Sequence, residues 1–461
     1  MSNTSYSSFH GEKVVSKTPL WHSGLHTLGT SIISILLGIA LSIVIARVLG
    51  PSGKGSYDLV LATIAMLGMV LGLSLPSGIT YVAAHGQTAL LPLSLRLLPI
   101  ALLQGILSAA LLMVLWSTNY LSALLPPAMG NRVIIVVSVS LVLGALTSYG
   151  RAWLVGRQEI IRANQVDMLG RILSLALLLV WVSVTTVSRH QVAAIEIVWI
   201  NVIVMILTSL LFVRALLPSL DPANDGPGGL RTVLAFASPC YLGNLAQFLN
   251  YRLDVFIVSF FVGIEGVGLY TLAVSLAQLI WLVSNAAATV LLPRVASLQQ
   301  PWAETALQTA RITRLVFDVS VLLAILIALL AQPLLPLVYG QAFQRSTGAL
   351  LLLLPGIAIF SIVNVLASYL AGVGNPQLNV VVALAGLAIT LVLDFGLIPR
   401  LGITGAAIAS TVSYTASTIL TIGFFIQKTH LRVAEVLLIT PQDVSMVGSL
   451  LRMIYQRINS G

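Results

Sequence analysis

The sequence predicts an all-α, polytopic membrane protein with twelve transmembrane helices in two six-helix lobes. Its composition is the first observation: of 461 residues, 58% are hydrophobic and only 8% are charged, whereas about 25% are charged in a soluble globular protein. A single soluble domain of this composition could not cover its surface with polar groups. Disorder is also excluded, because disordered chains are poor in apolar residues.

Apolar runs long enough to cross a bilayer are the second observation. Runs of roughly 18 or more residues predict membrane helices. The predicted limits are 24–49, 57–83, 94–117, 132–156, 168–188, 193–214, 232–261, 266–292, 314–338, 346–371, 376–398 and 402–427. No small-residue cleavage site follows the first run, so we expect an uncleaved first helix rather than a signal peptide.

The distribution of basic residues fixes the predicted orientation. With a cytoplasmic N-terminus, sixteen of the 23 Lys and Arg residues fall in inner segments and six in outer segments, with Arg252 inside a span. This bias follows the positive-inside rule and predicts a cytoplasmic (inner) membrane protein with both termini in the cytoplasm. The net charge of +9 is then explained by topology, without a nucleic-acid partner. A part of it could still bind anionic lipids.

An internal duplication is the third observation. Short motifs after spans one and seven match at a single offset of 213 residues: Gly50, Gly53, Gly55 and Tyr57 with Gly263, Gly266, Gly268 and Tyr270. Glycine tolerates positive φ and lets helices approach closely, so each copy predicts a tight turn. Halves with six spans each enter the membrane in the same orientation. They are therefore related by a two-fold axis along the membrane normal, as in many transporters.

These patterns divide the chain into five predicted segments. They are a cytoplasmic N-terminal segment (1–23), an N-lobe (24–214), a cytoplasmic linker (215–231), a C-lobe (232–427) and a cytoplasmic tail (428–461). A helix starting at Thr440-Pro441 would be amphipathic. It would lie either on the cytoplasmic leaflet or on the helix bundle.

Enzymatic and nucleotide-driven functions find no support in the motifs. The glycine-rich run around Lys54 lacks the spacing of a P-loop, because Lys54 is followed by Gly55 rather than Ser or Thr. The inter-span segments are too short for a catalytic domain, so we expect no enzyme and no bound nucleotide. The single Cys240 excludes an intramolecular disulfide, and no Cys/His cluster predicts a metal.

A polar stripe marks span seven. The helical period places Asn244, Gln247, Tyr251 and Asp254 within about 80° on one face. Such a stripe should face a cavity or a partner helix, and Arg252 lies away from it.

Ionisable residues at membrane depth are costly and are functional candidates. Six of them are predicted in the outer half of the membrane: Arg47, Asp58, Glu196, Arg252, Asp254 and Asp394. They could bind an anionic head group and a coupling ion. The alternative is structural pairing at the interface, which applies most readily to Arg47, Asp58 and Glu196.

Three motifs resemble one transporter family. The run Ala46-Arg47-Val48-Leu49-Gly50-Pro51, followed by Gly55 and Tyr57, resembles the N-terminal signature of the polysaccharide-exporter branch of the multidrug/oligosaccharidyl-lipid/polysaccharide exporter superfamily. The segments at 254–270 and 292–293 are similar to the start of that family's second half. The segment 398–407 is similar to its junction between helices eleven and twelve. Together the motifs span roughly residues 25–425, in the family's order.

The resemblance implies a secondary-active flippase. It would move polyprenyl-pyrophosphate-linked oligosaccharides between leaflets by alternating access. The substrate-binding candidates are Arg252, Arg47, Asn244, Gln247 and Tyr251; the candidates for a coupling H⁺ or Na⁺ are Asp254, Asp394 and Glu196. No other cofactor is implied.

Two further functions remain open. They are a cation-coupled multidrug antiporter of the same fold and a non-transporting scaffold for glycan synthesis. The expected partners are membrane lipids and the lipid-linked oligosaccharide, with a polysaccharide polymerase or glycosyltransferases as further candidates.

Overall fold

The computed structural model describes residues 20–85, 90–117, 125, 129–217, 229–297 and 302–437, which are helical almost throughout and contain no β-strand. The helices of the first half are α1 (Leu20–Gly72), α2 (Leu75–Ala84), α3 (Leu90–Ser117), α4 (Arg132–Gly156), α5 (Ile160–Val187) and α6 (Ala194–Leu216). Those of the second half are α7 (Leu230–Phe261), α8 (Ile264–Ala277), α9 (Trp281–Ser297), α10 (Trp302–Tyr339), α11 (Ser346–Gly372), α12 (Pro376–Leu401), α13 (Ile403–Thr429) and α14 (Val433–Leu437).

Twelve helical passes cross the bundle in this part of the chain. Ten continuous segments are long and apolar enough to span a membrane. The first of them contains two passes, because Gly50 (φ 63°) breaks α1 into two helical segments. The 32-residue helix α7 supplies the remaining pass. The predicted all-α fold of twelve membrane helices is thus confirmed.

Several helices run beyond the apolar stretches that predicted them. The predicted ninth span began at residue 314, whereas α10 begins at Trp302. Its extra turns bury Thr305, Thr309 and Thr313 against the bundle. An apolar run marks the part of a helix that crosses the bilayer, while the helix itself continues as long as its backbone hydrogen bonds and packing allow.

The end of the described chain packs on the bundle. The short helix α14 buries Val436 completely, and the Arg314 guanidinium of α10 donates to the carbonyl oxygen of Glu435. The helix predicted to begin at Thr440-Pro441 lies outside the described residues. So do residues 1–19 and most of the predicted linker 215–231.

The first six passes form one lobe and the last six form the other. The N-lobe core packs around buried residues such as Val137 and Leu178. The C-lobe core is centred on the fully buried Tyr270 and includes Phe360 and Tyr414.

The lobes meet where the two glycine motifs cross. Gly50 and Gly263 both adopt positive φ (63° and 90°) directly before a helical segment. One turn later, Gly55 and Gly268 touch: a Cβ on Gly55 would lie 2.9 Å from the Gly268 nitrogen, and a Cβ on Gly268 would lie 2.8 Å from the Gly55 nitrogen. The same added atoms would overlap the carbonyl oxygens of Ile264 and Pro51, respectively. The contact is therefore reciprocal, as a pseudo-two-fold axis requires, and we call this side of the bundle the glycine end.

A buried ion pair lies beside this crossing. Lys54, which is 5% exposed, pairs with Asp58 one turn further along α1. The Thr271 hydroxyl of α8 donates to the same carboxylate across the interface. Asp58 and Thr271 are equivalent positions of the two repeats. The backbone of the interface is therefore symmetric, whereas the side chains at these positions differ.

A second contact between the lobes lies at the opposite end, which we call the linker end. Gly78 of α2 packs against the Val233 backbone of α7, with no room for a side chain. Nearby, the Tyr241 hydroxyl donates to the Val70 carbonyl at 2.9 Å. The segment 51–84 thus touches the C-lobe at both ends of the membrane.

The crossing predicts opposite outcomes for two glycine-to-alanine substitutions. Gly55→Ala or Gly268→Ala forces the helices apart, and overpacking typically costs about 1–3 kcal/mol. Gly396→Ala, within α12, meets no atom within 4 Å and should leave stability unchanged or raised, because alanine favours a helix over glycine. Melting temperatures of the purified variants measure this. Equal melting temperatures for Gly55→Ala and wild type would contradict the crossing.

Candidate functional site

A polar cavity lies inside the N-lobe, in its linker-end half. We call it the N-lobe cavity; its volume is about 810 Å³, within the range of small-molecule sites. Helices α1, α4, α5 and α6 line it. Its polar lining residues are Thr30, Ser34, Arg151, Asn164, Asp167, Arg171, Ser174, Asn201 and Thr208.

The charges of the N-lobe cavity leave one arginine in excess. Arg151 Nε lies 2.7 Å from Asp167 Oδ2, which neutralises this pair. Arg171 is exposed, and its guanidinium reaches the Ser34 carbonyl oxygen at 3.4 Å. A guanidinium with spare N–H donors suits a phosphate or carboxylate.

The amide of Asn201 is held in place at the inner wall. Its Nδ2 donates to the Tyr57 hydroxyl at 2.6 Å, and its Oδ1 accepts from Ser174 at 3.4 Å. These contacts connect the glycine-end motif, through Tyr57, to the polar lining of the cavity.

The sequence contains a spacing signal for the N-lobe cavity. Asn164, Asp167, Arg171 and Ser174 have offsets of 3, 7 and 10 residues, the same spacing as the predicted stripe of span seven. Arg151 and Arg171 also belong to the sixteen basic residues of the predicted inner segments, which the positive-inside rule explains without a cavity. Positive charge near a helix end serves both purposes, and only packing distinguishes them.

A second cavity lies between the lobes. It has a volume of about 440 Å³ and is lined by α1–α4 together with Asn244 and Phe248 of α7. Asn244 donates to the Ser74 hydroxyl at 3.2 Å, and Gln104 donates to the Tyr149 hydroxyl at 3.3 Å. Gly144 and Ser148 of α4 line this cavity seven and three residues before Arg151, which faces the N-lobe cavity.

The C-lobe holds two buried carboxylates, which we call the carboxylate centre. Asp254 of α7 is 4% exposed and Asp394 of α12 is fully buried. The Tyr270 hydroxyl donates to Asp254 Oδ2 at 2.5 Å, and the backbone N–H of Val255 donates to Oδ1 at 2.8 Å. The two carboxylates are close enough to interact electrostatically.

Asp394 differs from Asp254 in its contacts. Among the described residues, no group hydrogen-bonds either of its carboxylate oxygens. Burying an ionised carboxylate without a partner is strongly unfavourable. Asp394 therefore requires a bound proton or cation.

Small polar groups surround the carboxylate centre. Thr390 of α12 donates to Asn250 Oδ1 at 2.9 Å, and the hydroxyl of Ser410 lies 3.2 Å from that of Tyr270. The side chains around the carboxylate centre offer only hydroxyl, amide and carboxylate groups to a ligand. Such groups suit a proton or a hard monovalent cation rather than a transition metal. The described residues contain no cluster of three or more His, Cys, Asp or Glu side chains that could hold a metal.

The predicted stripe on span seven divides between these sites. Asn244 reaches the cavity between the lobes, whereas Asp254 lies in the carboxylate centre. Between them, Gln247 lies one turn before Tyr251, and the centroid of the Tyr251 ring lies 5.1 Å from that of Trp281. Helix α7 packs on both α12 and α2, so residues along its polar stripe meet different neighbours.

The remaining predicted residues lie apart from one another. Arg252 is exposed on α7. Arg47 is exposed at the glycine end and donates to the carbonyl oxygens of Val338, at 2.8 Å, and Leu337. Glu196 accepts from the Trp181 indole at 3.0 Å and contacts His190 Nε2 at 2.8 Å.

Comparisons with known proteins agree with this architecture. The sequence profile of the family described as "Polysaccharide biosynthesis protein" matches residues 99–348, which is more than half of the chain. No curated protein sequence matches this chain.

Solved structures share the fold at low sequence identity. The lipid II flippase MurJ, in an inward closed conformation, superposes with a TM-score of 0.72 at 13% identity over 93% of this chain and 92% of that chain. An inward-facing multidrug resistance MATE family transporter of the MOP superfamily gives 0.63 at 16% identity, over 88% and 98%. A MOP superfamily transporter from Pyrococcus furiosus gives 0.55 at 16% identity, over 89% and 95%.

The profile match and the shared fold confirm the family that the three sequence motifs indicated. The twelve passes, the reciprocal crossing at Gly55 and Gly268 and the ordered motifs are all explained by it. The chain belongs to the polysaccharide biosynthesis protein family and is a multi-pass membrane protein with the two-lobe fold of the MOP superfamily.

Proposed function

We propose that this protein is a secondary-active flippase that moves polyprenyl-pyrophosphate-linked oligosaccharide across the cytoplasmic membrane. The observation that carries the proposal is the N-lobe cavity. It combines an excess arginine with amides and hydroxyls inside a membrane-embedded lobe. Guanidinium groups bind phosphate oxygens, and amides and hydroxyls bind sugar hydroxyls.

The linker end would face the cytoplasm. This orientation follows from the positive-inside bias of the sequence. The N-lobe cavity would then lie in the cytoplasmic half of the membrane, where a lipid-linked substrate made in the cytoplasm first arrives. The sugar head group would occupy the polar cavities while its lipid chain stays in the bilayer.

The carboxylate centre would couple transport to an ion gradient. Asp254 and Asp394 are buried acidic groups inside the C-lobe, and an unpartnered carboxylate needs a proton or Na⁺. One charge crossing 100 mV supplies about 2.3 kcal/mol. Glu196, whose two oxygens both have partners, is the weaker candidate for this role.

Reconstitution tests the proposed function directly. Purified protein in liposomes should move a fluorescent polyprenyl-diphosphate oligosaccharide from one leaflet to the other, measured as loss of protection from a membrane-impermeant quencher. A scaffold would leave the lipid in its original leaflet. A multidrug antiporter would instead move cationic dyes in response to a cation gradient.

Substitution of the cavity arginines should weaken recognition of the substrate. Arg171→Gln removes charge-assisted hydrogen bonds worth about 1.5–3 kcal/mol, so we expect the apparent affinity for substrate to fall roughly tenfold or more. Arg151→Gln should act in the same direction and leave Asp167 unpaired. Arg189→Gln is the matched control, because Arg189 is an exposed arginine at the other end of the N-lobe. If Arg171→Gln has the same apparent affinity for substrate as wild type, the N-lobe cavity is not the substrate site.

Neutralising Asp394 should uncouple transport from its driving ion. Asp394→Asn keeps the side-chain shape but cannot release a proton or hold Na⁺ by charge. We expect gradient-driven accumulation to be lost, with a melting temperature equal to or above wild type because a buried charge is removed. Glu265→Gln, an exposed acid paired with Arg345, is the control. Separate pH and Na⁺ gradients identify the ion, and a variant that still responds to the same gradient would exclude Asp394 from coupling.

A further inference from the structure

A narrow apolar crevice runs along the seam between the lobes, apart from the polar cavities. We call it the seam crevice; its volume is about 210 Å³. The N-lobe contributes Ile39 of α1, and the C-lobe contributes the rest of the wall. The main wall residues from α10 are Ile327, Leu330, Ala331, Leu334, Leu335, Val338 and Tyr339.

The seam crevice is as long as the part of a lipid chain that lies in one leaflet. Its wall on α10 extends from Ile327 to Tyr339, which is about 18 Å of helix. This distance covers the glycine-end half of a hydrocarbon core about 30 Å thick. Leu330 and Leu334 are 41% and 40% exposed, so the crevice opens to the bilayer along its side.

Arg47 lies at the mouth of the seam crevice. Its guanidinium donates through Nε to the Val338 carbonyl at 2.8 Å and through Nη2 to the Leu337 carbonyl. Both carbonyls belong to the last turn of α10, next to the crevice wall. A guanidinium carries five N–H donors, so three remain after these contacts.

The charge of Arg47 is not neutralised by a neighbouring acid. Among the described residues, no carboxylate lies within ion-pair distance of it, and the side chain is exposed. The exposed cation of Arg47 at the mouth of the apolar seam crevice complements a lipid with an anionic head group. At the level of the head groups, such a cation attracts phosphate.

We propose that Arg47 and the seam crevice form the release site for the lipid carrier in the glycine-end leaflet. The chain of a polyprenyl phosphate or diphosphate lies in the crevice, and its phosphate binds the free donors of Arg47. This inference rests on the proposed function. A head group that passes between the lobes stays tethered to its chain, and the seam between α1 and the C-lobe offers that chain an apolar path. An ordinary phospholipid has no such need.

Photo-crosslinking tests this release site. The full-length protein is placed in phosphatidylcholine nanodiscs with a long-chain polyprenyl phosphate that carries a diazirine in its chain, and labelled peptides are mapped. We expect labelling of residues 327–339. Leu334→Trp should fill the crevice and lower labelling. Arg47→Gln should remove the phosphate contact and lower labelling roughly tenfold.

Matched variants separate the site from general effects. Leu329→Trp puts the same ring on α10 at a residue that is 72% exposed and outside the crevice. Arg345→Gln removes an exposed cation near the same end of the bundle. Neither should change labelling. Leu334→Trp alters neither Arg47 nor the two residues whose carbonyl oxygens it contacts, so an unchanged melting temperature for this variant separates filling of the crevice from loosening of the lobes.

Two results would overturn the inference. One is equal labelling of Leu334→Trp and Leu329→Trp. The other is competition by phosphatidylglycerol as effective as competition by unlabelled polyprenyl phosphate, which would identify an ordinary anionic-lipid site. Failure of the proposed function gives a different result: the mapped labelling is present, but reconstituted protein does not flip the lipid-linked oligosaccharide.

Discussion

The contact between Gly55 and Gly268 is the constraint on which the arrangement of the lobes depends. Two helical segments begin at glycines with positive φ and cross one turn later with no side chain between them. Backbones can approach this closely only where both residues lack a Cβ. The crossing brings the Lys54–Asp58 pair against Thr271 and aligns the end of α10 with Arg47. The seam between the lobes is therefore organised from this point.

The two repeats share a backbone plan but have opposite chemistry. Tyr57 and Tyr270 are equivalent positions, yet Tyr57 accepts a hydrogen bond from Asn201 beside an arginine-containing cavity, whereas Tyr270 donates one to Asp254. The N-lobe thus presents basic and amide groups, and the C-lobe presents carboxylates. Under the proposed function, this difference assigns substrate recognition to the N-lobe and ion coupling to the C-lobe. The arginines of the N-lobe cavity and the carboxylates of the C-lobe belong to membrane-spanning helices. Charged groups there are energetically costly and are candidates for function.

Much of the fold followed from sequence, and less of the site did. Apolar runs predicted every pass, and the offset between Gly55 and Gly268 predicted the two-fold relation, because both depend on local residue types. The extension of α10 to Trp302 did not follow, since polar turns continue a helix without an apolar signal. Arg47 was recognised as a candidate, but its carbonyl partners lie about 290 residues away and only tertiary packing joins them. The positive-inside rule accounts for Arg151 and Arg171 without a cavity. The polar residues of α5 that include Arg171 have the same spacing as the stripe of span seven, and this spacing is the sequence signal for the cavity.

Distances across the two ends of the lobe interface test the account most directly. In a background with Cys240 replaced by serine, spin labels at Ser52 and Glu265 report the glycine end, and labels at His85 and Arg231 report the linker end; all four residues are exposed. Double electron–electron resonance is recorded in nanodiscs with and without lipid-linked oligosaccharide. Alternating access predicts that substrate changes the two distances in opposite directions. Two distances that stay fixed, or change with the same sign, in protein that transports substrate would contradict it.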